Sequence, residues 1–189
     1  MRLDELVQQE GDNINVQWKS FLLRPHSELR DMAAFTEYTK SWERPASLEP
    51  LAQFSTPWSG ENPPPSHSLP AAVAGKTAAT FGEAAWRRYH YQMLRAYFTK
   101  NHDISDSDVL LNLAQEVDID KHIFEKTLEA NREIFESQIF AEHNEALSNG
   151  VNGVPAVVIG NKYLISGAVE INHYKKALAH YRDIESGES

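Results

Sequence analysis

Not one of the 189 residues is cysteine. That absence removes disulfides, thiolate metal sites and thiol catalysis by the chain's own side chains. Basic residues are also in deficit, 18 Lys and Arg against 27 Asp and Glu, which gives a formal charge of −9. A nucleic acid or an anionic membrane surface needs a basic face, so neither is expected as a partner. No apolar run reaches the length of a membrane span, and "MRLDELVQQEG" is polar and amphipathic, unlike a signal peptide. Cytoplasm is the default expectation. Hydrophobic residues at 41% and charged residues at 24% suit a folded domain rather than a disordered chain.

Proline is scarce except in one place. Seven of the nine prolines fall between residues 45 and 70, which predicts a long surface excursion without regular elements through most of residues 44–70. Before it, Leu3, Leu6 and Val7 mark a short helix ending at Gly11, and "INVQWKSFLL" (14–23) alternates like a strand. Leu29, Met32, Phe35 and Trp42 predict a helix within 28–42. After the prolines, helices dominate. Ser68 reads as the N-cap of "LPAAVAGKTAATF", with Gly82 at the far end. Trp86, Tyr89, Met93 and Tyr97 line the next helix, and Ser105 with Asp108 resembles a capping box. Ile123, Phe124 and Leu128 mark one short helix, and 134–147 another ending at Gly150. "AVVI" and "YLIS" predict two strands joined by a Gly160-Asn161 turn, and "EINHYKKALAHYRDI" an amphipathic closing helix.

Few motifs carry chemistry. "AGKT" (74–77) lacks the glycine five residues before Gly75 that a phosphate loop requires; Pro70 stands there, so nucleotide binding is rejected and Gly75 reads as a close-packing point. The eight histidines form no metal pair with a third ligand in view, so no metal site is expected and most should be solvated. His67 stands apart because "PPPSHS" places it in an irregular loop; it is either a site residue or a staple, with Ser66 and Ser68 capping the next helix, and the staple is favoured. The strongest local signal is Gly153-Val154-Pro155, small flexible residues running into an apolar strand. A cis bond there would turn Val154 outward and leave its N–H and C=O free for an extended peptide.

The ordered set "VQWKSFLLRP", "YTKSWERPA", "PPPSHSLPAAVAGKTAA", "MLRAYFTKNHDIS" and "GVNGVPAVVIGNKYLISGA" resembles the DsbA-like branch of the thioredoxin fold over almost the full length, in the cytosolic form similar to FrnE-type oxidoreductases. The resemblance implies an α/β thioredoxin-like fold, its core formed by residues 1–27 and 149–189, with a helical insertion and Pro-rich linker at 28–148. It implies a substrate site at Gly153, Val154 and Pro155, with His67 and Ser68 as candidates to line the same cleft. The departure is at the front. In that family a strand and a C-x-x-C at a helix N-terminus, where the helix end lowers a thiol pKa, open the chain. Here "RLDELVQQEG" looks like the second half of that helix, so the first strand is missing. A segment omitted before Met1, another protomer filling the gap as a homodimer, or a redox-dead relative would each account for this.

No catalytic residue is therefore assigned within the chain, and no cofactor is required. The resemblance implies a thiol–disulfide oxidoreductase homologue, inactive or truncated as given, whose partner is a thiol or disulfide protein or a small thiol. Two alternatives keep the fold. One is a glutathione-dependent transferase or isomerase of the kappa or chromene-carboxylate type, with glutathione as ligand at Val154. The other is a non-catalytic peptide-binding module.

Overall fold

The computed structural model describes residues 2–48 and 52–187; Pro50, within the proline-rich stretch, lies outside them. Contacts divide the chain into two compact units, residues 1–21 with 140–189, and residues 22–139.

In the first unit, α1 (Arg2–Glu10) runs into a 3-10 turn, Gly11–Asn13. Its partner is α8 (Ile171–Ser186), with Leu6 and Tyr174 buried and the Arg182 guanidinium 2.9 Å from the Glu10 carboxylate. Between them in sequence lies a hairpin, β1 (Ala156–Ile159) and β2 (Tyr163–Ser166), antiparallel with Ala156 opposite Ser166 and Ile159 opposite Tyr163. Gly160 and Asn161 take the two positive-φ positions of the turn, where Asn and Gly carry the smallest steric cost. The Lys162 N–H donates to the Ile159 carbonyl at 3.0 Å, so three residues rather than two separate the strands. α8 ends at Gly187 in the left-handed conformation.

The strand expected at 14–23 is not there. Residues 14–22 form no helix or strand; the hairpin is the sheet among the described residues, and no ladder reaches this segment. Side chains hold it instead. The Ser20 N–H donates to the Glu142 carboxylate at 2.7 Å, Lys19 pairs with Glu145 at 2.5 Å, and Phe21 packs on His143 with ring centres 4.9 Å apart. Alternation alone cannot supply a neighbouring strand. His143 is correspondingly buried rather than solvated. It continues the i, i+4 row Phe135, Ile139, His143, all buried, on α7 (Lys121–Ser148).

That helix is one 28-residue element, where a short helix and a separate one at 134–147 are expected. No Gly or Pro lies between residues 121 and 148, so nothing in the sequence interrupts it. The Asp120 carboxylate caps its start by accepting from the Ile123 N–H at 2.9 Å.

Among the described residues, the second unit shows two cores. α4 (Leu69–Ala79), α5 (Glu83–Phe98) and α6 (Ser107–Glu116) close on one another through Ala71, Ala74, Ala78, Ala85 and Ala96, with Tyr89, Leu110, Leu113 and Phe124 filling between. Small residues let the helix axes approach, and the Tyr89 hydroxyl donates to the Leu110 carbonyl at 2.9 Å. Burial raises the Tyr89 pKa above its ordinary value. The second core is aromatic. Phe35, on α2 (Met32–Thr39), Trp42, in the 3-10 turn Lys40–Trp42, and Trp58 are buried, with Phe54, Tyr97 and Phe98 around them. α3 (Glu43–Leu48) follows directly, with Pro45 in its first turn, where a missing N–H costs nothing.

Several expected boundaries move. The helix expected across 28–42 starts at Met32, because the Asp31 carboxylate accepts from the Ala34 N–H at 2.7 Å; Leu29 is fully exposed. The proline-rich stretch is not a surface excursion throughout, since Trp58 is 1% exposed and Pro64 and Pro65 are buried. α4 stops at Ala79, and Gly82, at φ +100°, precedes α5 instead of ending α4. The cap of α6 is Asp106, one residue past Ser105, accepting from the N–H groups of Asp108 and Val109.

Gly75 is not a close-packing point either. A Cβ built there meets nothing within 4 Å, and its φ is not positive. Gly75→Ala should therefore stabilise the protein by about 0.5–1 kcal/mol, read as a higher denaturant midpoint with unchanged slope. Gly160 is the opposite case. Its φ is +56°, and an added Cβ would lie 2.1 and 2.4 Å from carbons of the Tyr181 ring and 2.7 Å from its hydroxyl. Gly160→Ala should cost about 1–2 kcal/mol, part backbone strain and part displacement of the ring. In a Tyr181→Ala background only the backbone part, about 1 kcal/mol, should remain.

Candidate functional site

The loop from α7 to β1 is shaped by its small residues. Gly150 ends α7 at φ +80°, with its N–H on the Leu147 carbonyl at 2.9 Å, and Val151 turns inward to 4% exposure. Asn152 closes on the Gly150 carbonyl at 3.1 Å. The chain then turns outward. Val154 is 53% exposed, Pro155 is exposed, and the bond between them is cis.

The register decides what this loop offers. The Gly167 N–H donates to the Pro155 carbonyl at 2.8 Å, extending the ladder one residue beyond Ala156–Ser166. Opposite pairs in an antiparallel ladder alternate between hydrogen-bonded and not. Pro155, Val157 and Ile159 therefore direct their backbone groups toward β2. Ala156 and Val158, with Val154 before them, direct theirs to the other edge, and no hydrogen bond among the described residues engages the Val154 N–H or C=O. The result is an exposed apolar side chain at the head of an open strand edge. Such an edge can receive an extended segment through main-chain hydrogen bonds, with alternate side chains setting preference.

Of the other expected site residues, Gly153 lies in this loop, and a Cβ added there meets nothing within 4 Å. His67 and Ser68 belong to the second unit and are engaged locally. The Ser68 N–H donates to the Arg24 carbonyl at 2.8 Å, and its hydroxyl accepts from the Arg24 N–H at 3.1 Å. Ser68 occupies the N-cap position of α4 but makes no side-chain cap bond. His67 Nδ1 sits 2.8 Å from the Ser66 hydroxyl, and Ser66 is held by Ser105. Both thus serve as loop staples, though onto residues 24 and 105 rather than onto the helix end. The apolar run "AVVI" marks a strand but cannot say which edge is open; that needs the register of the pairing.

The DSBA-like thioredoxin domain profile matches residues 1–179. The chain belongs to that family. It is also 25% identical, over 174 residues, to the uncharacterized protein YwbO of Bacillus subtilis, covering 90% of this chain and 84% of YwbO. Among solved structures, a putative protein disulfide isomerase from Nitrosomonas europaea superposes with a TM-score of 0.73 at 13% identity, over 96% of this chain and 88% of that one. The cytosolic disulfide reductase DsbM of Pseudomonas aeruginosa, solved with GSH, gives a TM-score of 0.65 at 15% identity, over 97% and 89%. At these identities the structures show the fold: DsbA-like, mostly helical, with a small sheet. No described helix is long and apolar enough to cross a membrane.

Proposed function

We propose that this DsbA-family chain is a substrate-docking protein of the thiol–disulfide oxidoreductase type, FrnE-like in its cytosolic character. An extended thiol or disulfide substrate lies along Val154, Ala156 and Val158, pairing its backbone with theirs. The observation that carries this reading is the open edge of β1, headed by an exposed Val154 without a backbone partner among the described residues. The 189 residues hold no cysteine, so a thiolate acting at this edge comes from outside them. That thiolate would attack one sulfur of a substrate disulfide, form a mixed disulfide and expel the other sulfur as a thiolate; a second thiol would then resolve it.

Glutathione is the second candidate occupant, supported by the GSH in the DsbM structure. Its peptide backbone could use the same Val154 groups, and a glutathione-dependent isomerase or transferase reading shares that ligand. The test of the catalytic half is insulin reduction with dithiothreitol. Adding the chain should leave the rate at that of dithiothreitol alone. A clear acceleration would contradict the assignment of the thiolate to a source outside these residues.

A further inference from the structure

Two arginines in the second unit are gathered without enough around them to explain it. Arg24, Leu29, Arg30, Asp31, Ala34 and Phe35 line an open cavity of about 230 Å³. The Nε of Arg24 is buried and has no hydrogen-bond partner among the described residues. An unpaired buried donor on a charged group costs free energy that a folded chain ordinarily avoids. Arg30 is fixed above the Phe35 ring, 3.9 Å from its centre, and hydrogen-bonds Tyr97. Burial first, and the nearby Arg24 charge second, hold the Arg30 pKa below its ordinary value, so the two cations feel each other.

The acids nearby do not resolve this. The Glu28 carboxylate reaches Arg24 Nη2 at 3.0 Å but is 70% exposed, and an exposed pair of this kind contributes little. Asp31 spends one oxygen on the Ala34 N–H as the cap of α2. Tyr97, half-enclosed beside Arg30, has its pKa pushed up to about 12 by burial, so it stays neutral and adds no negative charge at ordinary pH.

We propose that the Arg24–Arg30 cavity binds the phosphate group of a small phosphate monoester. Two guanidinium groups match a dianion in charge, and their planar forks match tetrahedral oxygens in geometry. Exposed Leu29 offers apolar surface to the organic part of the ligand. Neither arginine belongs to the Val154 loop, so the proposal stands apart from the docking reading.

The experiment is titration of the whole chain with inorganic phosphate at constant ionic strength, followed by ³¹P line width and by thermal midpoint, with succinate as the carboxylate arm. Phosphate should bind and raise the midpoint more than succinate does. R24Q and R30Q should each weaken binding about tenfold or more, the loss of one charge-assisted contact. E28Q, which removes a competitor for Arg24, should strengthen it. If R30Q does not fold, R24Q and E28Q still decide the matter. No response by the wild type, succinate binding as tight as phosphate, or an equal phosphate response in wild type and R24Q would overturn the proposal.

Discussion

Trp58→Ala should destabilise the aromatic core by about 3–5 kcal/mol. The indole is 1% exposed. Phe35 meets it edge-on at 5.1 Å, Tyr97 lies at 5.6 Å and Trp42 at 6.4 Å. Its indole N–H donates to the Asn62 carbonyl at 2.8 Å, and its backbone N–H donates to the Thr39 hydroxyl, also at 2.8 Å. Removing the ring leaves a cavity walled by rigid rings that cannot collapse into it. Trp58→Phe keeps most of the packing but strands the Asn62 carbonyl, so about 1–2 kcal/mol should be lost. Urea unfolding followed by far-UV circular dichroism separates the two variants. Equal midpoints for wild type and Trp58→Ala would contradict the placement of Trp58 as a core residue.

Asn101→Ala should cost about 2–3 kcal/mol, because the side chain does two jobs. It sits at φ +52° and is 2% exposed. Its Oδ1 accepts from the Ser59 N–H at 3.0 Å and its Nδ2 donates to the Ser55 carbonyl at 3.2 Å. Its own carbonyl accepts from Asn62 at 3.1 Å. Asn101 thereby ties the loop carrying Trp58 to the end of α5. Ser55 adds a second tie, donating its backbone N–H to the Phe98 carbonyl at 2.8 Å. Asn tolerates the left-handed region better than Ala, so Asn101→Gly should recover the backbone part, about 1 kcal/mol, while the lost hydrogen bonds stay lost. Asn101→Gly no better than Asn101→Ala would show that left-handed backbone strain contributes nothing to the cost.

Periodic patterns in this sequence were legible where one chain segment satisfies itself. α5 and α8 follow from their apolar stripes, and the Gly160-Asn161 turn from its two left-handed positions. Misreadings arose where a distant residue decides the outcome. Residues 14–22 alternate like a strand, yet carboxylates on α7, more than a hundred residues away, take the place of a strand partner. The proline-rich stretch reads as surface because proline forbids regular elements, but Trp58 inside it is the centre of a core. Prolines mark irregular backbone and say nothing of burial. The Val154 loop was legible as a motif, and its open edge was not. His67 and Ser68 illustrate the converse, since a loop position that invites a site was filled by bonds to Arg24 and Ser66. The Arg24–Arg30 pair left no local signature, because the five residues between the two belong to no helix or strand whose period would bring them together.

The docking reading rests on the free backbone groups of β1. The most direct measurement is a ¹⁵N-resolved titration of the whole chain with reduced glutathione and, separately, with an unstructured thiol peptide. The amides of Val154, Ala156 and Val158 should shift and gain protection from exchange, while Val157, already directed toward β2, changes little. Shifts confined to other surfaces, or none along β1 with either ligand, would contradict the account.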